Sequence, residues 1–240
     1  MVDFYKPKFD EAVLVSYPRS GNTWMRYVLA NFLYSNKDHN LRTLKFTFPD
    51  VYHPENCNDK NHKPRILKSH ESFKEETKCY SKVVYIYRDP RDVALSYYDF
   101  LIKCRGIVVT FDKYIDRFVN GDTGFGRWDD HVNSWSKAKD INMMTVSYEN
   151  MHYYPIETFG SVISFLGFVR PNAEKLFGVL EKSKFSKVQE DVKKIDYHVA
   201  EGFSGGVSGK PGAWKEKLSV PHVKKIEKAF WRTMNAWGYR

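Results

Sequence analysis

Residues 13–34 read Val13-Leu-Val-Ser-Tyr-Pro-Arg-Ser-Gly-Asn-Thr-Trp-Met-Arg-Tyr-Val-Leu-Ala-Asn-Phe-Leu-Tyr34. The first five residues form a short, mostly apolar run of the kind found in buried strands. The stretch from Trp24 onward is too long and too evenly apolar for a strand and predicts a helix. Proline and glycine lie between the two runs, as in a tight turn. The stretch therefore predicts a strand, a tight loop and a helix in succession.

The loop at 16–24 has the chemistry of an anion site. Gly21 lets the backbone approach a ligand closely, and the amides of Gly21, Asn22 and Thr23 at the helix start would point towards one spot. The helix dipole adds about half a positive charge there, and Arg19 and the Thr23 hydroxyl add donors. The G-x-x-x-x-G-K-[ST] spacing of a Walker A loop is missing. An ordinary strand-helix turn with a chance basic residue is the alternative for this segment alone.

A second strand-helix turn, Tyr87-Arg-Asp-Pro-Arg-Asp-Val-Ala-Leu-Ser96, repeats this chemistry. Asp89 is a helix cap, and Pro90 suits the first helical position. Arg88 ends the strand, and Ser96 falls in the second turn of the helix. A ligand with phosphates at two separated positions would explain both turns.

Strand and helix patterns alternate along the rest of the chain. This alternation is typical of an α/β fold, with a parallel sheet flanked by helices on both faces. No repeat or linker divides the chain, so residues 1–240 are expected to form a single domain. Asn, His and Pro in 36–63 predict a long loop. Strands are predicted at 13–17, 65–69, 82–87 and 143–147, and further helices at 111–119, 128–138, 155–166, 173–181 and 222–236.

The composition limits the class of partner and the compartment. The chain of 240 residues has a formal net charge of +9 and a pI of about 9.2, which suggests nucleic acid, acidic lipid or a phosphate-bearing small molecule. A hydrophobic share of 42% excludes the disordered classes. Three widely spaced cysteines argue against a disulfide framework or zinc site. Without a signal sequence or membrane span, a cytoplasmic protein is expected.

Taken together, the two turns resemble those of the cytosolic-type PAPS-dependent sulfotransferases. In that family a Y-P-[KR]-S-G-[TN]-T-W loop holds the 5′-phosphosulfate of PAPS (3′-phosphoadenosine 5′-phosphosulfate), and an R-x7-S pair holds its 3′-phosphate. The resemblance implies the family's P-loop-like sheet and PAPS as cosubstrate, with no metal. It implies that Arg88 and Ser96 bind the 3′-phosphate. It also implies that the 5′-phosphosulfate is bound by the loop residues Arg19, Ser20, Gly21, Asn22, Thr23 and Trp24.

The segment Lys68-Ser-His70 resembles the K-[ST]-H that supplies the family's catalytic histidine. An unperturbed imidazole has a pKa near ~6.5, so His70 is largely neutral at pH 7 and can accept a hydroxyl proton. Lys68 and Arg19 are expected to neutralise charge on the sulfuryl group and the leaving oxygen. His131 is the rival base.

Trp128-Asp-Asp-His-Val-Asn-Ser-Trp135 resembles the W-x-x-H-V-x-x-W segment bordering the acceptor pocket, which implies that Trp128 and His131 bind the acceptor. Tyr148-Glu-Asn-Met151 resembles the Y-E-D-M stretch whose tyrosine approaches the adenine. Phe185, in the position of the family's T-S-F, is expected to sandwich the base with Trp24.

The segment Gly209-Lys-Pro-Gly-Ala-Trp214 resembles the closing R-K-G-x-x-G-D-W loop, so Gly209 and Lys210 are expected to contact the nucleotide. Val207 and Ser208 replace the family's Arg-Lys pair, and Lys210 is the candidate to compensate. The family's dimer segment is altered between residues 215 and 224, which leaves the oligomeric state open.

Three functions follow from these patterns. The first is an enzyme that transfers a sulfuryl group from PAPS to a hydroxyl of a small-molecule acceptor by in-line displacement. The second is a P-loop nucleotide kinase or phosphotransferase, which the missing Lys-[ST] pair opposes. The third is a basic nucleic-acid-binding module, for which no RNA or DNA motif is recognisable.

Overall fold

A four-stranded sheet lies at the centre of the computed structural model, which describes residues 10–37, 39–53, 65–184 and 209–240. The strands lie in the order β2-β1-β3-β4, and every neighbouring pair is parallel. This confirms the predicted parallel sheet, and each strand begins and ends within two residues of its predicted bounds. The strands are β1 Glu11–Ser16, β2 Arg65–Ser69, β3 Lys82–Tyr87 and β4 Met143–Ser147.

Ten α-helices are described around the sheet, with one 3₁₀ turn at Glu75–Cys79. In chain order they are α1 Asn22–Leu33, α2 Leu41–Thr47, α3 Pro90–Arg105, α4 Phe111–Asn120, α5 Trp128–Ser136, α6 Tyr148–Tyr153, α7 Pro155–Phe165, α8 Ala173–Lys182, α9 Trp214–Lys217 and α10 Val220–Ala236. None of these helices is long and apolar enough to cross a membrane.

Helices cover both faces of the sheet because side chains alternate along each strand. Val13 and Val15 of β1 belong to one buried cluster, together with residues of α3, α4, α5 and α10. Ala12 and Leu14 point the other way, into a second cluster with residues of α1, α7 and α8. The expected α/β architecture with two covered faces is therefore confirmed.

The stretch 36–63, predicted to be a loop, contains helix α2 instead, while residues 54–64 lie outside the described part. A reciprocal cap begins the helix: the Thr43 amide donates to Asn40 Oδ1 at 3.0 Å, and the Asn40 amide donates to Thr43 Oγ1 at 2.9 Å. Such a capping box satisfies two amides that the helix leaves open. Burial of Leu44 and Phe48 in the core stabilises the helix, which the low aliphatic content of this stretch did not indicate.

The carboxyl ends of the parallel strands meet at one edge of the sheet. The loop after β1 leads into α1, and β3 leads directly into α3. His70 follows β2, and Tyr148 opens α6 immediately after β4. Residues far apart in sequence therefore come together at this edge.

Candidate functional site

The loop between β1 and α1 has a backbone shape that its residues partly impose. Gly21 is the N-cap of α1 with φ 106°, and Arg19 takes a left-handed φ of 70°. A methyl group on Gly21 would come within 2.5 Å of Tyr148 Cδ2, so only glycine fits there. Ser20 is buried, and its Oγ has no hydrogen-bond partner among the described residues. The loop thus brings polar groups and the start of α1 to the sheet edge.

The two strand-helix turns are in direct contact. Arg19 Nε donates to Ser96 Oγ at 3.1 Å, across 77 positions of sequence. Arg88 Nη1 donates to the carbonyl oxygen of Arg19 at 3.2 Å. The residues expected to bind two separate phosphates therefore lie on one site, close enough to touch one ligand.

Arg88 is 3% exposed, and its guanidinium carbon lies 4.0 Å from the centre of the Tyr148 ring. Asp92 is a weak ionic partner, since its Oδ2 is 3.8 Å from Arg88 Nη2. Among the described residues, Arg88 Nε and Nη2 have no hydrogen-bond partner although both are buried. A guanidinium carries only donors, and burying donors without acceptors is costly. Arg88 is accordingly suited to receive an anion.

The closing segment is tied down beside Arg88. Asp92 accepts hydrogen bonds from the amides of Gly212 at 2.7 Å and Trp214 at 2.9 Å. Burial raises the pKa of Asp92, and the charge of Arg88 and the two amides oppose this rise. Tyr148 Oη donates to the carbonyl oxygen of Gly209 at 2.6 Å. Lys210 is exposed next to this contact, whereas Phe185, Val207 and Ser208 lie outside the described residues.

Aromatic rings surround Trp24 at the start of α1. Its indole Nε1 donates to the carbonyl oxygen of Ser183 at 3.0 Å, and its ring centre lies 6.1 Å from that of Tyr148. His152, which the sequence analysis missed, lies closer still, at 4.6 Å. Burial lowers the pKa of His152 to about 4, and its Nε2 is buried with no hydrogen-bond partner in the described part of the chain.

His70 is held through one ring nitrogen. Its Nδ1 lies 2.7 Å from the carbonyl oxygen of Ser16 and 3.3 Å from Ser16 Oγ. A carbonyl only accepts, so Nδ1 carries the proton and Nε2 has the free lone pair. Burial, followed by the charge of Lys68, lowers the pKa of His70 well below its ordinary value. The ring is therefore neutral at pH 7, with Nε2 able to accept a proton.

Lys68 has a carboxylate partner that the sequence analysis missed. Its Nζ lies 2.6 Å from Asp50 Oδ2, and the backbones of the two residues form an isolated parallel bridge at the edge of β2. Burial lowers the pKa of Lys68 to about 8, although Asp50 opposes this. The ammonium group is thus engaged with Asp50 in this structure.

Arg26 is another cation that the sequence analysis missed. It lies one helical turn after Thr23, whose Oγ1 accepts from Arg26 Nη2 at 3.4 Å. Burial lowers the pKa of Arg26 to about 10, and its charge in turn lowers the pKa values of Lys68 and His70. Its Nε is buried without a hydrogen-bond partner in the described ranges. The spacing in the sequence could have indicated Arg26, because a residue three positions after Thr23 lies on the same helix face.

The two residues expected to bind the acceptor, Trp128 and His131, do not line the site. Trp128 and His131 are only 0% and 1% exposed, and both side chains lie in the core beneath the site. The ring that faces His70 is Phe125, with centres 5.7 Å apart. Tyr52 lies 6.3 Å from Phe125. Together Phe125 and Tyr52 place aromatic surface next to the imidazole.

In the described residues, no group of three or more His, Cys, Asp or Glu side chains is arranged to hold a metal ion. The arrangement instead gathers cationic side chains and one neutral imidazole at the strand ends. Such an arrangement is chemically able to bind an anion and to accept a proton.

The chain is similar to a group of known proteins. The family model described as "Sulfotransferase domain" matches residues 9–238. The mouse (Mus musculus) protein "Sulfotransferase 1 family member D1" is 26% identical over 262 residues, covering 97% of this chain and 86% of that protein. Human "Sulfotransferase 2B1" is 27% identical, covering 94% of this chain and 66% of that protein.

Solved structures share the fold. A mouse sulfotransferase complexed with PAP superimposes with a TM-score of 0.74 at 21% identity, covering 96% of this chain and 85% of that chain. A retinol dehydratase in complex with androsterone and inactive cofactor PAP gives a TM-score of 0.76 at 19% identity, with coverages of 95% and 82%.

Proposed function

The chain belongs to the sulfotransferase-domain family, and from this premise we propose that it transfers a sulfuryl group from PAPS to a hydroxyl of a small-molecule acceptor. The observation that carries the proposal is the contact between the two turns, in which Arg19 bonds Ser96 and Arg88 bonds the Arg19 carbonyl. One donor with phosphates at both ends can span this site. The PAP present in structural relatives at 21% and 19% identity supports the same ligand class.

PAPS binds, in this proposal, with its two phosphate ends on the two turns. The loop after β1 and the amides at the start of α1 hold the 5′-phosphosulfate, where the helix dipole favours negative charge. Arg88 and Ser96 hold the 3′-phosphate, which satisfies the buried nitrogens of Arg88. The nucleoside contacts are Trp24, Tyr148, Phe185, Gly209 and Lys210, of which Phe185 lies outside the described residues.

The transfer is an in-line displacement at sulfur. The acceptor hydroxyl gives its proton to His70 Nε2 as its oxygen forms a bond to sulfur. The bond between sulfur and the 5′-phosphate oxygen breaks, and its electron pair leaves with that oxygen as PAP. By analogy with phosphoryl transfer, positioning and electrostatics supply most of the rate.

Arg19 and Lys68 neutralise charge that develops on the transferred group and the leaving oxygen. A well-placed donor of this kind is worth roughly 3–4 kcal/mol of transition-state stabilisation. For Lys68 this role requires its ammonium group, which now lies 2.6 Å from Asp50 Oδ2, to leave that carboxylate and bind the sulfuryl oxygens instead. The acceptor lies against Phe125, whose ring faces His70, and against Tyr52 beside it.

The test is a PAPS-consumption screen over acceptors that differ in charge and size, with the His70→Ala variant as the inactive control. We expect PAP formation with at least one hydroxyl acceptor and none in the variant. Ser96→Ala should raise the KM for PAPS, because Ser96 Oγ helps to hold the 3′-phosphate. Mg²⁺-dependent transfer from ATP without any PAPS turnover would instead support a kinase and overturn the proposal.

A further inference from the structure

Helix α5 is bonded to the segment that follows β2 at three successive places. His131 Nε2 donates to the carbonyl oxygen of His70 at 3.2 Å. Trp135 Nε1 donates to the carbonyl oxygen of Glu71 at 3.0 Å. The amide of Phe73 donates to Ser134 Oγ at 3.0 Å. Positions i, i+3 and i+4 share one helix face, so a single face of α5 holds the backbone of residues 70–73.

The hydrogen bonds of His131 leave it no capacity for chemistry. The carbonyl of His70 only accepts, so His131 Nε2 carries the proton and Nδ1 accepts from Tyr85 Oη at 3.0 Å. Tyr85 is 0% exposed and His131 is 1% exposed. Burial also lowers the pKa of His131 to about 4, which keeps the ring neutral at pH 7. His131 therefore cannot serve as a base or touch a bound acceptor without breaking this chain of bonds.

His70 is fixed from two sides as a result. Its carbonyl oxygen is held by His131 on α5, and its ring Nδ1–H is held by the carbonyl oxygen of Ser16 on β1. A bond at the main chain alone would leave the ring free to rotate, and a bond at the ring alone would leave the backbone free to shift. The two together set the direction in which Nε2 points.

We propose that α5 clamps the segment 70–73, with His131 as the positioning residue that aims the imidazole of His70 at the acceptor hydroxyl. This inference rests on the proposed function, in which His70 is the base. It assigns the histidine of the W-x-x-H-V-x-x-W segment to support of the base, in place of the acceptor contact expected from the sequence.

The decisive variants are His131→Leu, which removes the donor, and His131→Gln, whose amide can donate to the His70 carbonyl. Misplacing a catalytic group by about 1 Å costs on the order of 100-fold in rate. We expect His131→Leu to lower kcat by roughly 10- to 100-fold, with PAP affinity and the KM for PAPS unchanged. His131→Gln should recover most of kcat. Equal kcat losses in both variants would overturn the clamp.

Val132→Ala is the matched control, because Val132 is a buried neighbour on α5 and its truncation removes packing without removing a bond to the segment. The variant should lose stability but retain kcat. Trp135→Phe keeps an aromatic ring and deletes the N–H bonded to Glu71, so it offers a milder variant if His131→Leu fails to fold. It should lower kcat in the same direction, and wild-type kcat in Trp135→Phe would count against the clamp.

A readout that needs no turnover separates this inference from the proposed function. The groups that act on the pKa of His70 are Lys68, Arg26, His131 and the Ser16 carbonyl, in addition to burial. An NMR titration of His70 should give a pKa well below 6.5 in the wild type. In His131→Leu the His70 ring is held less firmly and becomes more hydrated, so the pKa of His70 should rise towards 6.5. An unchanged titration overturns the clamp, whereas absence of PAPS turnover in the wild type overturns only the proposed function.

Discussion

Replacing Gly21 with alanine tests whether the loop after β1 must pass directly over Tyr148. Gly21 has φ 106°, and an added Cβ would lie 2.5 Å from Tyr148 Cδ2. The ring has little room to retreat, since its Oη bonds the Gly209 carbonyl and Arg88 covers its face. A left-handed alanine costs about 1–2 kcal/mol, and overpacking costs typically about 1–3 kcal/mol. We expect Gly21→Ala to destabilise the fold by about 2–5 kcal/mol.

Gly106→Ala isolates the backbone part of that cost. Gly106 has φ 61°, and a Cβ added there would have nothing within 4 Å of it, so about 1–2 kcal/mol is expected. Both variants share the loss of unfolded-state entropy that accompanies a change from glycine to alanine. Urea denaturation would give the free energies of unfolding, and calorimetry would give the PAP affinity, which should fall in Gly21→Ala only. Equal destabilisation in both variants, with unchanged PAP affinity, would refute the argued contact.

Three further results are expected. His70→Ala should abolish transfer to alcohols while PAP affinity stays within about twofold, because the base touches only the acceptor in the proposed step; retained turnover would mean another base. If the Arg26 guanidinium neutralises the transferred group, Arg26→Met should lower kcat by roughly tenfold or more, and Arg26→Lys should retain more activity. Wild-type kcat in Arg26→Met would exclude that role. Stability should fall on acidification, because burial lowers the pKa of His131 to about 4 and the unfolded state, with a pKa near ~6.5, binds more protons between these values. His131 alone contributes a loss of about 2 kcal/mol from pH 7 to pH 5, and His70 and His152, whose pKa values are also lowered, add to it. A urea-denaturation series over this pH range checks it, and a smaller loss in His131→Gln is required.

Local sequence patterns predicted the sheet well because each strand is a short apolar run that ends at a polar turn. β2, β3 and β4 have their predicted bounds, and α3 begins at Pro90 behind the Asp89 cap. The helix α6 was missed because Tyr148–Tyr153 was considered only as a nucleotide motif. Its cap is the side chain of Ser147, which accepts from the amide of Asn150 at 3.0 Å.

Contacts between distant segments could not be predicted from spacing. Asp50 reaches Lys68 only because residues 49–51 pair with the edge of β2. His152 approaches Trp24 because α1 follows β1 and α6 follows β4 at the same edge of the sheet. The same applies to His131, whose place beneath the site depends on Tyr85 of β3 and on the backbone of His70. A motif gives the residue type and the order along the chain, but these contacts depend on the packed sheet.

The most direct measurement is the affinity of the wild-type chain for adenosine 3′,5′-bisphosphate compared with AMP, by calorimetry at one fixed salt concentration. Arg88 and Ser96 meet the loop after β1 through Arg19, so the 3′-phosphate should add its own contacts. We expect at least about tenfold tighter binding of the bisphosphate, which is about 1.4 kcal/mol, and loss of that advantage in Ser96→Ala and Arg88→Met. Equal affinity for the two nucleotides in the wild type would contradict the assignment of both turns to one donor.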